Sequence, residues 1–321
     1  MLQYRGLLGP VAILILVGVA MLWSPFEPHR PPVVQEGTGA TAEAWVEEDW
    51  DIFEQKVRWA AREGLDSVPL GSAVAAIGRS FVGTAYVPRT LEVQGPERLV
   101  VNFRELDCVT FVENAFALAR FVRGGGVNRL ANRADAEAEY AGLLAELRYR
   151  GGVIDGYPSR LHYFSEWVAD NAGRGLVTDV SAQLGGRRDQ EPIDFMSTHP
   201  DAYRQLADPA NLSAIRQTET QLSARGRTFI PEDRIAQAAP GIRDGDIIAA
   251  TSTVAGLDVA HTGLALWVQG SLHLLHAPLV GDSVEISTAS LADRILSIEG
   301  QDGIIVARPT EAAFPSRRPT R

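Results

Sequence analysis

From Glu43 to Glu63, Trp45, Trp50, Phe53, Val57 and Trp59 recur at near-helical intervals among charged neighbours, which predicts an amphipathic helix with an aromatic face turned to a core. Val74 to Phe81 predicts a second helix, and Leu99-Val100-Val101 a short strand or extended segment. Next comes an unusual stretch. Asp107 precedes a nearly all-apolar run from Cys108 to Val122 that ends at Gly124-Gly125-Gly126. A carboxylate at the start and glycines at the stop describe a buried helix, with Asp107 as its N-cap.

Three further helices are expected over Ala134 to Arg148, Leu161 to Asn171 and Asn211 to Arg225. Beyond Pro240 the texture changes to short apolar runs between turns: Asp246 to Ala250, Thr262 to Val268, Leu272 to His276, Val284 to Ile286 and Gly303 to Val306. Helices first and meandering strands after give an α+β domain, with a buried helix packed on one face of an antiparallel sheet.

The ends of the chain read differently. Gly6 to Ser24 carries no charge and is rich in Leu, Val and Ile, the pattern of an export signal or a short membrane anchor. The apolar run continues through Met21, Leu22 and Trp23 without a clear cleavage site, which favours the uncleaved anchor. Residues 25–42 form a Pro- and Gly-rich linker, and 309–321 a Pro- and Arg-rich tail read as disordered. The domain between them is expected to span 43–308. Its setting would be the periplasm or cell envelope, with 6–24 as a single anchor to the inner membrane.

The 321 residues are 45% hydrophobic, enough for a sizeable core, and the formal net charge is −10. All 30 basic residues except Lys56 are Arg, scattered without a basic stripe, so a phosphate-tracking nucleic-acid protein is excluded. The triple glycine has no strand before it and no Lys after it, and so is no phosphate loop.

Cys108 is the single cysteine. An exported chain keeps its cysteines paired, and a lone one cannot make an internal disulfide. Composition alone leaves open a small buried hydrophobe. At the first turn of a helix, however, the sulfur lies beside unpaired N–H groups and the positive end of the helix dipole, which favour a thiolate. His261 stands at the mouth of an expected strand, a position suited to a general base and equally to a surface-loop histidine. On the next strand, alternation puts His273 and His276 on opposite faces. Only one of them can face His261.

Gly83-Thr84-Ala85-Tyr86, Asp107-Cys108, Gly245-Asp246-Ile247, His261-Thr262-Gly263-Leu264 and Leu275-His276-Ala277 follow one another as in NlpC-type papain-like cell-wall hydrolases, the NlpC/P60 superfamily, and the chain resembles that family. Val109-Thr110-Phe111-Val112-Glu113-Asn114 replaces the commoner Ser-Gly after the cysteine. Together with Ser159-Arg160-Leu161-His162-Tyr163-Phe164, Phe195-Met196-Ser197 and Gly256-Leu257-Asp258-Val259, it resembles the N-acetylmuramoyl-L-alanine amidase-like branch.

The resemblance implies a papain-like core with Cys108 as nucleophile, His261 as base, His276 as the residue orienting it, and Tyr86 as a hydroxyl near the nucleophile, with Asp107 beside it. It implies hydrolysis of the muramoyl–L-Ala amide of muropeptides through a thioester, with no cofactor and no metal. The alternatives are a γ-D-glutamyl-diamino acid endopeptidase on the same stem peptide and a catalytically inert wall-binding protein. A zinc amidase would need a ligand set that the sequence does not offer, since there is no His-Glu-x-x-His. The Arg160-His162-Tyr163 cluster reads either as a clamp for stem-peptide carboxylates or as surface residues capping the helix beside them.

Overall fold

The computed structural model describes residues 45–311; the expected anchor (1–24) and linker (25–42) lie outside the described residues. Its main helices are α1 (Glu47–Arg62), α2 (Leu70–Arg79), α3 (Cys108–Arg123), α4 (Arg133–Arg148), α5 (Phe164–Gly173), α6 (Pro209–Arg225) and α7 (Leu291–Ser297). The strands are β1 (Ala85–Tyr86), β2 (Glu105–Leu106), β3 (Val177–Asp179), β4 (Arg187–Asp189), β5 (Arg227–Pro231), β6 (Ile247–Ser252), β7 (Val259–Val268), β8 (Ser271–His276), β9 (Glu285–Ile286) and β10 (Gln301–Pro309). None of the described helices is long and apolar enough to cross a membrane.

One antiparallel sheet runs in the order β4-β5-β10-β6-β7-β8-β9, and β3 also pairs with β10. The meander β6-β7-β8-β9 was legible in the alternating runs after Pro240. The partners that β3, β4 and β5 supply from the helical half were not, because strands of three to five residues carry too little pattern to separate from loops. Leu99–Val101, expected as a short strand or extended segment, belongs to no strand, and the local ladder is the parallel pair β1-β2. Residues 309–311 of the expected tail are tied to the domain, and 312–321 lie outside the described residues. Pro309 pairs with Val177, Thr310 N–H donates to the Leu176 carbonyl, and Glu311 pairs with Arg123.

The sheet buries both faces. Along β6, Ile247 and Ala249 join the large core shared with α1 to α4, whereas Ile248 and Ala250 join a second core closed by Leu291 and Ile295 of α7. The same alternation splits Ile305 and Ala307 from Ile304 and Val306 on β10. The expected one-sided sheet is therefore covered on its second face as well.

Helix α3 is the centre of the first core, and every residue from Thr110 to Val122 is buried. Phe111, Phe116 and Phe121 are fully enclosed, each contributing roughly 1.5–3 kcal/mol of burial. Its polar members are paired: Glu113 takes a hydrogen bond from Arg148 of α4 at 2.7 Å, and Arg148 also donates to the Val100 carbonyl. That ion pair fixes the segment leading into the helix.

The Gly245-Asp246-Ile247 motif has a packing cause. Gly245 adopts φ 78°, and a Cβ there would lie 1.9 Å from the Gly71 carbonyl oxygen, so only glycine lets α2 approach the entry to β6. Asp246 then accepts two hydrogen bonds from Arg308, at 2.8 and 2.6 Å, tying the start of β6 to the end of β10.

Candidate active site

Cys108 is the first residue of α3. Asp107 caps the helix: its carboxylate accepts from the N–H of Val109 at 3.1 Å and of Thr110 at 2.8 Å, while the Thr110 hydroxyl accepts from Asp107 N–H at 2.9 Å. Phe111 N–H donates to the Asp107 carbonyl. Among the described residues, the Cys108 N–H is thus the open donor of the first turn.

This capping changes the expected electrostatics of the nucleophile. Burial and the adjacent Asp107 carboxylate push the Cys108 thiol up to about 11, outweighing the hydroxyl and backbone of Thr262, which pull it down. Cys108 therefore rests as a thiol rather than the expected thiolate. The helix supplies a positive end, but the cap carries a full negative charge at the same place. Asp107 accordingly shapes the helix start and is not a free substrate ligand.

The second element arrives through Thr262. Its hydroxyl donates to the Cys108 carbonyl at 2.8 Å, pinning β7 onto the start of α3 one residue from His261. His261 and His276 lie on neighbouring strands, with His261 Nε2 and His276 Nδ1 2.8 Å apart and the rings edge to face. No hydrogen bond joins the thiol to His261 in this resting arrangement. Because His276 occupies Nε2, the nitrogen of His261 left to take a proton is Nδ1.

Gly263 makes the ring pair possible: a Cβ there would meet the Leu275 carbonyl oxygen at 2.7 Å and His276 Cβ at 3.0 Å. His273, on the opposite face of β8, is held by the Ser287 carbonyl at 2.8 Å and takes no part.

Both imidazoles are neutral. Burial first, then His276 and Arg294, push His261 well below the ordinary histidine value; burial and then Arg294 lower His276 to about 3. Tyr86 stands beside Leu106 in the β1-β2 ladder, and burial, Cys108 and Asp107 all raise its hydroxyl far above its ordinary value. It therefore remains a proton-bearing donor. The structure thus gathers Tyr86 and Asp107 about Cys108 at one helix terminus, and pairs His261 with His276 on the neighbouring strands, on the sheet face that carries Arg294.

It does not bring the Arg160-His162-Tyr163 cluster there as a free clamp. Arg160 is 5% exposed, donates to Glu92 at 2.6 Å and to the Leu91 carbonyl, and lies 3.6 Å from Glu97. His162 Nε2 meets the Tyr157 carbonyl at 2.9 Å, and burial and then Arg160 hold it neutral. The Tyr163 hydroxyl donates to Glu219 at 2.7 Å and accepts from Met196 N–H at 2.8 Å. These groups have spent their polar capacity on other neighbours, and with Arg160 and Tyr163 buried and no side-chain cap on α5 they form neither a free clamp nor the surface helix cap that the sequence left open.

Sequence reasoning missed Thr262, Glu285 and Arg294. Thr262 was visible inside the His-Thr-Gly-Leu motif, but nothing in one sequence distinguishes a tethering hydroxyl from a strand filler. Glu285 lies in the strand expected over Val284 to Ile286, but nothing in the sequence marked it as the cross-strand partner of His276, and Arg294 comes from α7, a seven-residue helix too short to read. Among the described residues, no group of three or more His, Cys, Asp or Glu side chains is placed to hold a metal ion.

A family profile described as AmiA-like, N-acetylmuramoyl-L-alanine amidase-like, matches residues 76–301. An N-acetylmuramoyl-L-alanine amidase from Bacteroides uniformis is 35% identical, with TM-score 0.68, covering 75% of this chain and 99% of its own. A Bacteroides fragilis protein provisionally described as a xylanase is 37% identical, with TM-score 0.65, over 73% of this chain and 99% of its own. A Legionella pneumophila protein at 19% identity and TM-score 0.59, covering 82% of this chain and 95% of its own, shares the fold. No curated protein matches the chain.

Proposed function

The chain belongs to the N-acetylmuramoyl-L-alanine amidase-like family, and on that premise we propose that it is a cysteine amidase of the papain-like NlpC/P60 type, hydrolysing the bond between the muramic acid lactyl group and L-Ala of peptidoglycan fragments. The observation that carries this reading is the Thr262 tether. It sets the lone cysteine, at a helix N-terminus, one residue from a histidine whose far nitrogen is already held by a second histidine.

In this mechanism Cys108 Sγ attacks the lactyl carbonyl carbon as His261 Nδ1 takes the thiol proton, so that no free thiolate precedes the substrate. The Cys108 N–H and the Tyr86 hydroxyl stabilise the oxyanion. The imidazolium returns its proton to the leaving L-Ala nitrogen, the C–N bond breaks and a thioester remains. Water then attacks the thioester with His261 again as base, releasing the acid and restoring the thiol.

A glycosidase would instead need two carboxylates facing one another across the scissile bond, whereas this site offers a thiol, two imidazoles and a phenol. A peptidoglycan substrate accords with the export-type pattern of residues 6–24, and we place the enzyme at the cell envelope.

The test is mass-spectrometric product analysis of the full chain on N-acetylmuramoyl tripeptide, with Cys108→Ala beside it. Release of the intact L-Ala-terminated tripeptide by the wild type alone is expected. Cleavage after D-Glu would assign the endopeptidase, and equal turnover by Cys108→Ala would refute the nucleophile.

A further inference from the structure

His261 can act as a base toward Cys108 only in one tautomer. Its Nδ1 must carry the lone pair, so the proton sits on Nε2 and is donated to His276 Nδ1, 2.8 Å away. His276, if neutral, must then carry its own proton on Nε2. The opposite arrangement, with His276 Nδ1–H donating to His261 Nε2, leaves a proton on His261 Nδ1 and no base at all. The two arrangements contain the same number of protons, and the ring-to-ring bond does not choose between them.

Whatever lies at His276 Nε2 makes the choice. That atom is buried and without a hydrogen-bond partner, in a side chain 2% exposed. Three charged or titratable groups face the ring: His261 from β7, Arg294 from α7, and Glu285, its cross-strand partner on β9. Arg294 offers only donors. Glu285 offers only acceptors, and its Oε1 lies 3.8 Å from His276 Nε2. The Glu285 side chain is 53% exposed, free to close that gap by a small rotation.

We propose that Glu285 is a positioning residue: its carboxylate accepts from His276 Nε2–H and thereby fixes both histidine tautomers, leaving the His261 Nδ1 lone pair for the Cys108 proton. The observed line of groups runs His261, His276, Glu285, and each ring nitrogen in it has one role; the step from His261 to Cys108 belongs to the proposed mechanism. During turnover the proton moves only between Cys108, His261 and substrate. His276 keeps its Nε2 proton throughout. The arrangement matches the general pattern in which a group behind a functional imidazole sets its tautomer. It also explains why a carboxylate is tolerated at the far end of a relay whose near end is crowded by Asp107.

The inference rests on the amidase reading for its catalytic meaning, but its primary test needs no substrate. Nitrogen-15 NMR of histidine-labelled full chain at pH 7.5 reads the tautomer of each ring directly. We expect His276 and His261 both protonated on Nε2 in the wild type. Glu285→Ala should give a mixture of tautomers, and Glu285→Gln, which keeps an acceptor oxygen, should lie nearer the wild type. On N-acetylmuramoyl tripeptide, Glu285→Ala should lower kcat about 10-fold with KM unchanged.

A wild-type His276 protonated on Nδ1, or tautomers indifferent to Glu285→Ala, would overturn the inference. A tautomer shift in a chain that releases no tripeptide would support it while refuting the amidase.

Discussion

The neutral, buried histidine pair predicts a specific acid weakness. His276 has its folded-state pKa lowered to about 3, while in the unfolded chain it returns to the ordinary value near 6.5. Below 6.5 the unfolded state therefore binds a proton that the folded state refuses. Stability is complete above the unfolded value and is lost as the pH falls from there toward 3. At pH 4.5 the unfolded ring lies two units below its pKa, and at about 1.36 kcal/mol per unit this one residue removes about 2–3 kcal/mol relative to pH 7.5. Since His276 is 2% exposed, solvent screening does not dilute the figure. The perturbation is His276→Asn, whose side-chain oxygen still accepts from His261 Nε2–H. The assay is urea unfolding of both proteins at pH 7.5 and pH 4.5. Groups outside the pair contribute equally to the two chains, and burial, the larger cause of the His261 shift, remains in both, so the difference of differences reports chiefly the His276 ring. His276→Asn should lose about 2–3 kcal/mol less than the wild type between the two pH values. Equal losses would show that the ring is protonated or solvated in the folded protein, and the electrostatic account of the site would fail with it.

Asp107→Asn keeps an efficient N-cap but removes the charge that raises the thiol, so stability should change by less than about 0.5 kcal/mol while the midpoint of thiol alkylation by iodoacetamide moves to lower pH. An unmoved midpoint would exonerate the carboxylate. Arg160→Met should destabilise by about 3 kcal/mol in urea, because it strands Glu97 and Glu92, with KM for the muropeptide unaltered; a selective rise in KM would restore the clamp. Gly263→Ala forces a Cβ against the Leu275 carbonyl and His276 Cβ, and should cost about 1–3 kcal/mol and lower kcat more than KM, read by urea unfolding and steady-state kinetics. The pH profile of kcat/KM should stay flat through pH 6 to 8 and fall only at more acid pH, where His261 protonates; an acid limb centred near 6.5 would contradict the lowered value.

The elements that sequence revealed are those in which one physical signal dominates. Helix α3 was legible because a fully buried helix shows an unbroken apolar run between a capping carboxylate and glycines, and the observed Cys108–Arg123 ends one residue beyond the expected Val122. The meander β6 to β9 was legible from alternation. What remained hidden depends on partners distant in the chain. The strands β3 and β5 have meaning only beside β10, and β4 only beside β5, and Arg160 looked like a free cation because Glu92 and Glu97, which neutralise it, lie some sixty residues earlier. The site divides the same way. Cys108, His261 and His276 stood out by residue type and motif, whereas the direction of the Cys108 shift depended on burial of the thiol and then on the Asp107 charge beside it, which only the fold fixes.

That shift bears on how a lone cysteine survives. A thiol held up to about 11 is ionised to only about one part in 10⁴ at pH 7, and the thiolate is the form that oxidants and disulfides attack. A free thiolate poised in advance would react well with substrate and equally well with everything else. In the proposed mechanism the proton leaves only when an acyl carbon lies against Sγ and an oxyanion forms beside the Cys108 N–H and Tyr86, so the stabilisation that a thiolate would have drawn from the helix terminus is kept for the transition state. For a chain whose first residues carry an export-type pattern, this arrangement trades some intrinsic reactivity for persistence of the nucleophile. The trade depends on the Asp107 charge, so Asp107→Asn should be inactivated by hydrogen peroxide faster than the wild type, in step with its lowered alkylation midpoint. Equal inactivation rates would mean that access to the sulfur, and not its ionisation, is what protects it.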